Sequence, residues 1–193
     1  MTLNFTEKAA TVLSQAQSTA KTRQHVSITP IHLSLALLQA DPDHFLKNIL
    51  DQCGSSSSKF ESNCLAILSK MPTQSPCPEP GFSPLLAQIL KSANEKAIAQ
   101  KDEFIAIDHL ILALLESKEF SQDLIKEPQL LNAVKSKIQS LRSSRKVVSP
   151  TSDENYQALS KYAIDLVAQA EQGKLDPCIG RDDGIRRLIR VLW

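Results

Sequence analysis

An internal repeat constrains this chain more than any other feature. When the sequence is shifted by 77 positions, Phe5 falls on Phe82, and 12 of the 35 positions from 5 to 39 are identical without a gap. Ordinary residue frequencies would give about two or three identities. The identical residues are mostly apolar and helically spaced: Phe5, Ala10, Leu13, Ala16, Ala20, Ile28, His32, Leu33, Leu35, Ala36, Leu37 and Leu38. The repeat therefore preserves a core, and the sequence predicts a duplicated fold.

Each copy has a helical pattern throughout. Thr6 and Ser83 stand where a helix N-cap is expected, and Pro84 follows at a first helical position. A second helix is predicted to begin at Thr29-Pro30, and its counterpart in the other copy at Ile107. The Ala and Leu stripes of these helices are predicted to face the core.

Two further helices complete each copy. In the first copy they are predicted over residues 43–52 and from a capping box at 58–61 onward; in the second they are predicted over 117–126 and 128–141. The sequence therefore predicts an all-α fold, an eight-helix bundle made of two pseudo-repeated four-helix units, and no convincing strand.

Two stretches of the chain are not helical by composition. Residues 72–80 contain four prolines, and residues 142–155 are polar and serine-rich, as an interdomain linker is. We therefore predict a double-repeat domain over 1–143, a linker over 144–155 and a further segment over 156–193, which opens with an amphipathic helix.

Charge and cysteine usage limit the classes of partner. The formal net charge is +1, which gives no electrostatic footprint for nucleic acid or an anionic membrane surface. No apolar run approaches the roughly 18 residues of a membrane span. The four cysteines, Cys53, Cys64, Cys77 and Cys178, are scattered, which favours reduced thiols in a cytoplasmic protein.

The residue pattern does not indicate catalysis or a metal site. His32 and His109 occupy equivalent repeat positions, but they lack a nearby cluster of Cys or acidic ligands, so we interpret them as half-buried structural residues. The serines lack a glycine-bearing nucleophile elbow, and neither histidine has an identifiable catalytic partner. The basic residues Arg186, Arg187 and Arg190 are interpreted as a solvated helix face.

The repeat motif resembles that of a known family. Each copy opens Phe-[Ser/Thr] and continues to Ile-x-x-x-His-Leu-x-Leu-Ala-Leu-Leu, which resembles the N-terminal domains of the Clp/Hsp100 chaperones. Residues 159–166 and 172–181, the latter Gln-Gly-Lys-Leu-Asp-Pro-Cys-Ile-Gly-Arg, are similar to the opening of the first AAA+ ATPase module in this family. The sequence of these segments is most similar to the ClpB branch of the family, and within it to the fungal heat-shock protein 104 type.

The resemblance implies a molecular chaperone. Domains of this kind would engage unfolded or aggregated polypeptide through an apolar groove, at the seam between the two copies, and hand it to the AAA+ rings of a disaggregase. The family's client-responsive positions fall on Thr6, Asp102 and Asp108, so the resemblance implies substrate binding by these residues. The full-length parent would be a homohexamer assembled through its ATPase modules, and this chain is expected to be monomeric.

The resemblance also implies ATP and Mg²⁺ as cofactors of the full-length parent. Cys178, Ile179 and Gly180 would lie beside adenine, although Cys178 replaces the usual Val and Gly184 an acidic residue. The sequence contains no Gly-x-x-x-x-Gly-Lys-[Ser/Thr] loop for the phosphates. We therefore expect the chain to be a piece of a longer protein, to need no cofactor of its own and not to hydrolyse ATP.

Several alternatives stay open at this point. Thr6 could serve only as a helix cap and Asp108 only as a partner of a helix N-terminus, each worth roughly 1 kcal/mol or less. The domain could instead dock folded adaptors or co-chaperones, as in the protease-coupled ClpC and ClpA unfoldases. A nucleotide-binding role of the segment after residue 155, or a spacer role in a ring, are the remaining alternatives.

Overall fold

The computed structural model describes most of the chain and divides it into two compact units. The described residues are 3–41, 43–75, 78–117, 120, 128–142, 147–151, 166–173 and 180–192. The first unit comprises Met1–Tyr156 and the second Gln157–Trp193. The repeated sequence lies entirely in the first unit.

The first copy of the repeat folds into four helices and one very short strand. Helix α1 spans Glu7–Thr22, strand β1 Ser27–Ile28, α2 Pro30–Gln39, α3 Phe45–Gln52 and α4 Ser57–Leu68. These helices agree with the four predicted in the first copy.

The described part of the second copy comprises one short strand and three helices, and its strand precedes its first helix. Strand β2 spans Gly81–Phe82, α5 Pro84–Ala99, α6 Ile107–Glu116 and α7 Pro128–Arg142. Most of the helix predicted over 117–126 lies outside the described residues. The predicted all-α fold is confirmed, since the described strands contain only two residues each.

The start of α4 corrects one sequence-based boundary. The helix begins at Ser57 with Ser56 as its N-cap, not at a capping box opened by Ser58. Four consecutive serines stand here, and all are competent caps. Asp51 decides between them, because its carboxylate accepts both the amide and the hydroxyl of Ser57, at 3.0 and 3.1 Å. Ser56 Oγ then accepts from the Lys59 amide at 3.3 Å.

Two short parallel pairings join the copies. Ser27–Ile28 pairs with Gly81–Phe82, and an isolated bridge joins Phe5 to Ile105. The 77-residue shift converts one pairing into the other, since Phe5 corresponds to Phe82 and Ile28 to Ile105. The two copies are therefore related by an approximate two-fold exchange, with one seam on each side.

The core is centred on α2 and α6. Helix α2 packs against α1, α3, α4 and α5, and α6 packs against α1, α5 and α7. Nearly every side chain from 32 to 38 and from 107 to 115 is buried, and the alanines of the outer stripes (Ala9, Ala16, Ala20, Ala93 and Ala97) let the helices approach closely. Each fully buried leucine contributes roughly 1.5–3 kcal/mol, so these two helices dominate the stability of the first unit.

The second unit contains two described helices, α8 at Leu166–Glu171 and α9 at Asp182–Leu192. The basic side chains Arg186, Arg187 and Arg190 are exposed on α9, as predicted. The amphipathic helix predicted from residue 156 lies partly outside the described residues. Among the helices that the structure describes, none is long and apolar enough to cross a membrane.

Candidate functional site

The structure places Thr6 at a helix cap inside one seam. Its side chain is fully buried, its Oγ1 accepts from the Ala9 amide at 3.3 Å, and its own amide donates to Ile105 O at 3.1 Å. Ser83, its counterpart, caps α5 in the same way and donates its amide to Ile28 O at 2.9 Å. The capping predictions for Thr6 and Ser83 are confirmed.

Similar turns carry the chain from α1 and α5 toward the next helices. A left-handed residue stands two positions after the end of each helix, Gln24 with φ 57° after α1 and Lys101 with φ 61° after α5. The following residue donates its amide to the carbonyl oxygen five positions earlier in a Schellman motif: His25 to Ala20 O and Asp102 to Ala97 O, both at 2.9 Å. The motif brings the His25 and Asp102 side chains to the histidine that opens the next helix.

In the first copy this histidine is neutral and completes the cap of α2. His32 Nδ1 accepts from the Thr29 amide at 3.1 Å, so its Nε2 carries the proton and donates to His25 Nδ1 at 2.8 Å. Burial, with His25 and Arg23 nearby, lowers the pKa of His32 to about 4. The prediction of a structural role is confirmed, although His32 is fully buried, not half-buried.

In the second copy the equivalent histidine belongs to a buried charged cluster. His109 Nδ1 accepts from the Ala106 amide at 3.0 Å, and its Nε2 lies 3.1 Å from Asp102 Oδ2. Arg142, near the end of α7, bonds both Asp102 and Asp108, the latter at 2.5 Å. Burial, and secondarily Lys96, lowers the pKa of His109 to about 4, so the ion pairs here are those between Arg142 and the two carboxylates.

A short segment, residues 147–150, with a bend at Ser149 and a turn from Pro150, lies over this cluster. The Val147 amide donates to Asp102 Oδ1 at 2.8 Å, and Val147 O accepts from the Glu103 amide at 3.0 Å. Three residues further on, Pro150 O accepts from the Glu7 amide at 2.9 Å, at the start of α1. Val147 is buried, whereas Val148 is 55% exposed. We call this place, formed by residues 4–7 and 102–108 beneath 147–150, the covered seam.

The other seam is open and apolar. A cavity of about 640 Å³ lies between the starts of α2 and α5 and the end of α4. Its lining consists of Thr29, Pro30, Ile31, Ile67, Met71, Ser83, Pro84, Leu85, Gln88 and Phe120. A second cavity of about 370 Å³ adjoins it, since Leu85 and Gln88 line both, and it reaches Ser92, Ala113 and Glu116. We call the larger cavity the open groove.

The repeat relates the open groove to the covered seam. Ile31 corresponds to Asp108, Leu85 to Lys8 and Ser83 to Thr6 under the 77-residue shift. Lys8 forms an ion pair with Asp43, and Asp108 one with Arg142. The same place in the fold is thus apolar in one copy and charged in the other.

Comparison with known proteins gives the family. The profile of the Clp repeat (R) N-terminal domain matches residues 4–129, which is most of the first unit. The chain belongs to the Clp N-terminal domain family. The helices, the seams and the charged cluster are therefore those of a Clp N-domain.

Relatives of this Clp N-domain are chaperones by name. It is 37% identical over 192 residues to heat shock protein 104 of Schizosaccharomyces pombe, covering 97% of this chain and 21% of that protein. It is 35% identical over 190 residues to the chaperone protein ClpB of Pseudomonas putida, covering 97% and 22%. The chain thus spans about a fifth of the length of these relatives. The predicted resemblance to the Hsp104/ClpB group is confirmed.

A solved structure supports the same fold. The Hsp104 N-terminal domain of Candida albicans superposes with a TM-score of 0.71 at 28% identity, covering 78% of this chain and 99% of that one.

The predicted substrate-binding residues of this Clp N-domain do not line the open groove. Thr6, Asp102 and Asp108 are buried in the covered seam, where Thr6 caps α1 and both carboxylates bind Arg142. Their role in client binding stays a prediction. The sequence analysis did not identify Ile31 and Leu85 as lining residues of a groove. A signal for them was present in the repeat, because both positions are apolar in one copy and charged in the other.

The remaining site predictions concern cofactors and metals. Cys178 and Ile179 lie outside the described residues, and Gly180 is exposed with φ 78°. Within the part of the chain that the structure describes, no group of three or more His, Cys, Asp or Glu side chains could hold a metal ion.

Proposed function

We propose that this Clp N-domain engages unfolded or aggregated polypeptide through the open groove and hands it to the AAA+ rings of a disaggregase. The observation that carries the proposal is the open groove itself, an accessible apolar cavity where the two copies meet. Membership in the Clp N-domain family, with Hsp104 and ClpB among its relatives, supports the same reading.

The chemistry of the open groove suits a client without a fixed sequence. Its walls are apolar side chains, including Ile31, Ile67, Leu85 and Phe120, and its described lining carries no formal charge. Unfolded chains differ in charge but share exposed apolar segments, so an uncharged apolar surface discriminates by exposure and not by sequence. Met71 adds an unbranched, adaptable side chain of the kind found at promiscuous binding surfaces.

The adjoining cavity gives the groove a direction. Both cavities follow α5, from Pro84 at its start to Ser92 in its middle. An extended peptide could therefore place successive side chains in the two cavities, while the hydroxyl and amide groups of Thr29, Ser83 and Gln88 bond its backbone. We infer that clients bind in extended conformation along α5.

The proposal extends to the longer protein. We propose that ATP and Mg²⁺ serve AAA+ modules outside this chain, that those modules assemble the homohexamer in the cytoplasm, and that this chain alone is monomeric and not an enzyme. The residues present here do not fit a complete nucleotide site, because the sequence has no phosphate-binding loop. No step of the proposed function of this chain depends on nucleotide.

A matched pair of variants tests the proposal. Ile31→Gln removes an apolar wall of the open groove, whereas Ile98→Gln changes an isoleucine that is 63% exposed on α5 and outside the lining. Burying one isoleucine against a client contributes about 1.5 kcal/mol, so Ile31→Gln should weaken binding of a reduced, carboxymethylated model protein about tenfold. Fluorescence anisotropy measures this, with circular dichroism to verify folding.

The control outcomes separate the alternatives. Ile98→Gln should bind the unfolded model protein with the affinity of the parent chain. The native form of the model protein should bind neither the Ile98→Gln chain nor the parent chain. Equal affinity of all three chains for the unfolded protein would contradict the open groove as the client site. Binding of a folded adaptor from a protease-coupled unfoldase, without binding of unfolded protein, would favour adaptor docking.

A further inference from the structure

The segment 147–150 contacts the domain as a bound peptide would. The main chain of Val147 makes two hydrogen bonds: its amide donates to the side-chain carboxylate of Asp102 (Oδ1, 2.8 Å), and its carbonyl oxygen accepts from the Glu103 amide at 3.0 Å. Its side chain is 2% exposed, whereas the rest of the segment is exposed. One buried apolar anchor and main-chain hydrogen bonds are the features by which extended peptides are recognised without a strict sequence.

The far end of the segment completes a helix cap. Glu7 is the first residue of α1, so its amide has no acceptor within the helix. Pro150 O accepts from that amide at 2.9 Å. Any extended chain could offer a carbonyl oxygen at this point, and the contact therefore requires a backbone and not a particular side chain.

The position of the segment corresponds to that of the open groove. The covered seam begins at α1 and α6, and the open groove begins at α5 and α2, which exchange under the 77-residue shift. The fold therefore presents two equivalent places for an extended chain. One is accessible, and the other holds residues of this chain itself.

The resemblance to the family implies client binding at Thr6, Asp102 and Asp108, which lie in the covered seam. We propose that residues 147–150, which occupy this seam here, act as an intramolecular competitor of such a client. A client segment with a β-branched apolar residue in the place of Val147 takes this site when the competitor leaves. Asp102 then accepts a client amide in place of the Val147 amide, and the Glu7 and Glu103 amides bond client carbonyls. The inference rests on the proposed function, since it adds a second client site to the same domain.

Two neighbouring valines provide the variants. In the full 193-residue chain, Val147→Asp places a charge where the side chain is buried, whereas Val148→Asp changes a side chain that is 55% exposed. The first variant should release the segment and the second should not. Hydrogen exchange at the Glu7 and Glu103 amides should quicken about tenfold in Val147→Asp only, while exchange in the core of α2 stays at the level of the parent chain.

A peptide added in trans tests the site directly. The probe is a capped synthetic peptide with the sequence of residues 146–151, followed by NMR of the chain. A tethered segment has an effective concentration of about a millimolar, so the parent chain and Val148→Asp should bind the peptide at least tenfold more weakly than Val147→Asp. Amide shifts should appear at Glu7 and Glu103. Equal peptide binding by all three chains, or no binding by any, would overturn the proposal.

A second probe separates this inference from the proposed function. Val147→Asp should bind the unfolded model protein more tightly than Val148→Asp, even when both chains also carry Ile31→Gln. If client binding depends on Ile31 but not on Val147, client binding in the covered seam is contradicted, while client binding in the open groove is supported. If Val147→Asp binds the peptide but no chain binds the unfolded protein, the competitor role of residues 147–150 is supported and the proposed function is contradicted.

Discussion

Removal of the Arg142 side chain is the perturbation with the largest expected effect on the first unit. The side chains of Asp102 and Asp108 are 0% and 1% exposed, and both bind the guanidinium of Arg142, which is 9% exposed. Arg142→Met keeps most of the apolar stem but leaves two buried carboxylates without their cation. Breaking a buried ion pair from one side costs about 3–5 kcal/mol. Because a domain is stable by only about 5–15 kcal/mol, the loss should be a large part of the total.

Urea denaturation followed by circular dichroism measures this loss as a lower midpoint at an unchanged slope. The first copy supplies a compensating variant, since His25 and Ile31 occupy the positions that correspond to Asp102 and Asp108. The triple variant D102H/D108I/R142M should recover more than half of the lost stability, because it removes the buried carboxylates together with the cation. A loss below about 1 kcal/mol for Arg142→Met would refute the reasoning, since exposed pairs are worth that little.

Two further predictions concern buried groups of the seams. Burial lowers the pKa of His32 and His109 to about 4 from about 6.5, so the unfolded chain binds more protons between these values and stability should fall as the pH falls from about 6.5 to about 4. Urea midpoints at pH 7, 5.5 and 4.5 test this, and a midpoint that rises on acidification would contradict it. Thr6→Ala should cost about 1 kcal/mol through loss of the α1 cap, like Ser83→Ala at the cap of α5. Thr6→Ala should leave client binding at the open groove unchanged, and tenfold weaker binding by a folded Thr6→Ala chain would assign Thr6 a direct client contact.

The repeat made the helices predictable because helical spacing is a local property. Thr6, Ser83 and Thr29 are caps whose neighbours in sequence are their partners, so the sequence alone sufficed for these helix starts. Cys64 and Leu68 likewise follow from periodicity and are buried. In the serine run before α4, several residues could serve equally well as the N-cap. The side chain of Asp51 determines which one does, so the predicted start of this helix was wrong.

The charged cluster could not be predicted, because its partners are distant in sequence. Arg142 lies 34 residues from Asp108 and 40 from Asp102, and periodicity carries no information on such pairs. A charged side chain at the end of a helix is normally solvated, so no feature of the sequence indicated that Arg142 would be buried. Val147 was assigned to a polar linker for the same reason, yet it is buried over Asp102.

The most direct test of the proposed client site is an NMR titration of the full chain with a permanently unfolded protein, with the native form of that protein as a control. We predict shifts of the amides around Ile31, Met71 and Leu85 with the unfolded protein only. If the amides at these three positions do not shift while the fold stays intact, or if they shift equally with the native protein, client binding in the open groove is contradicted.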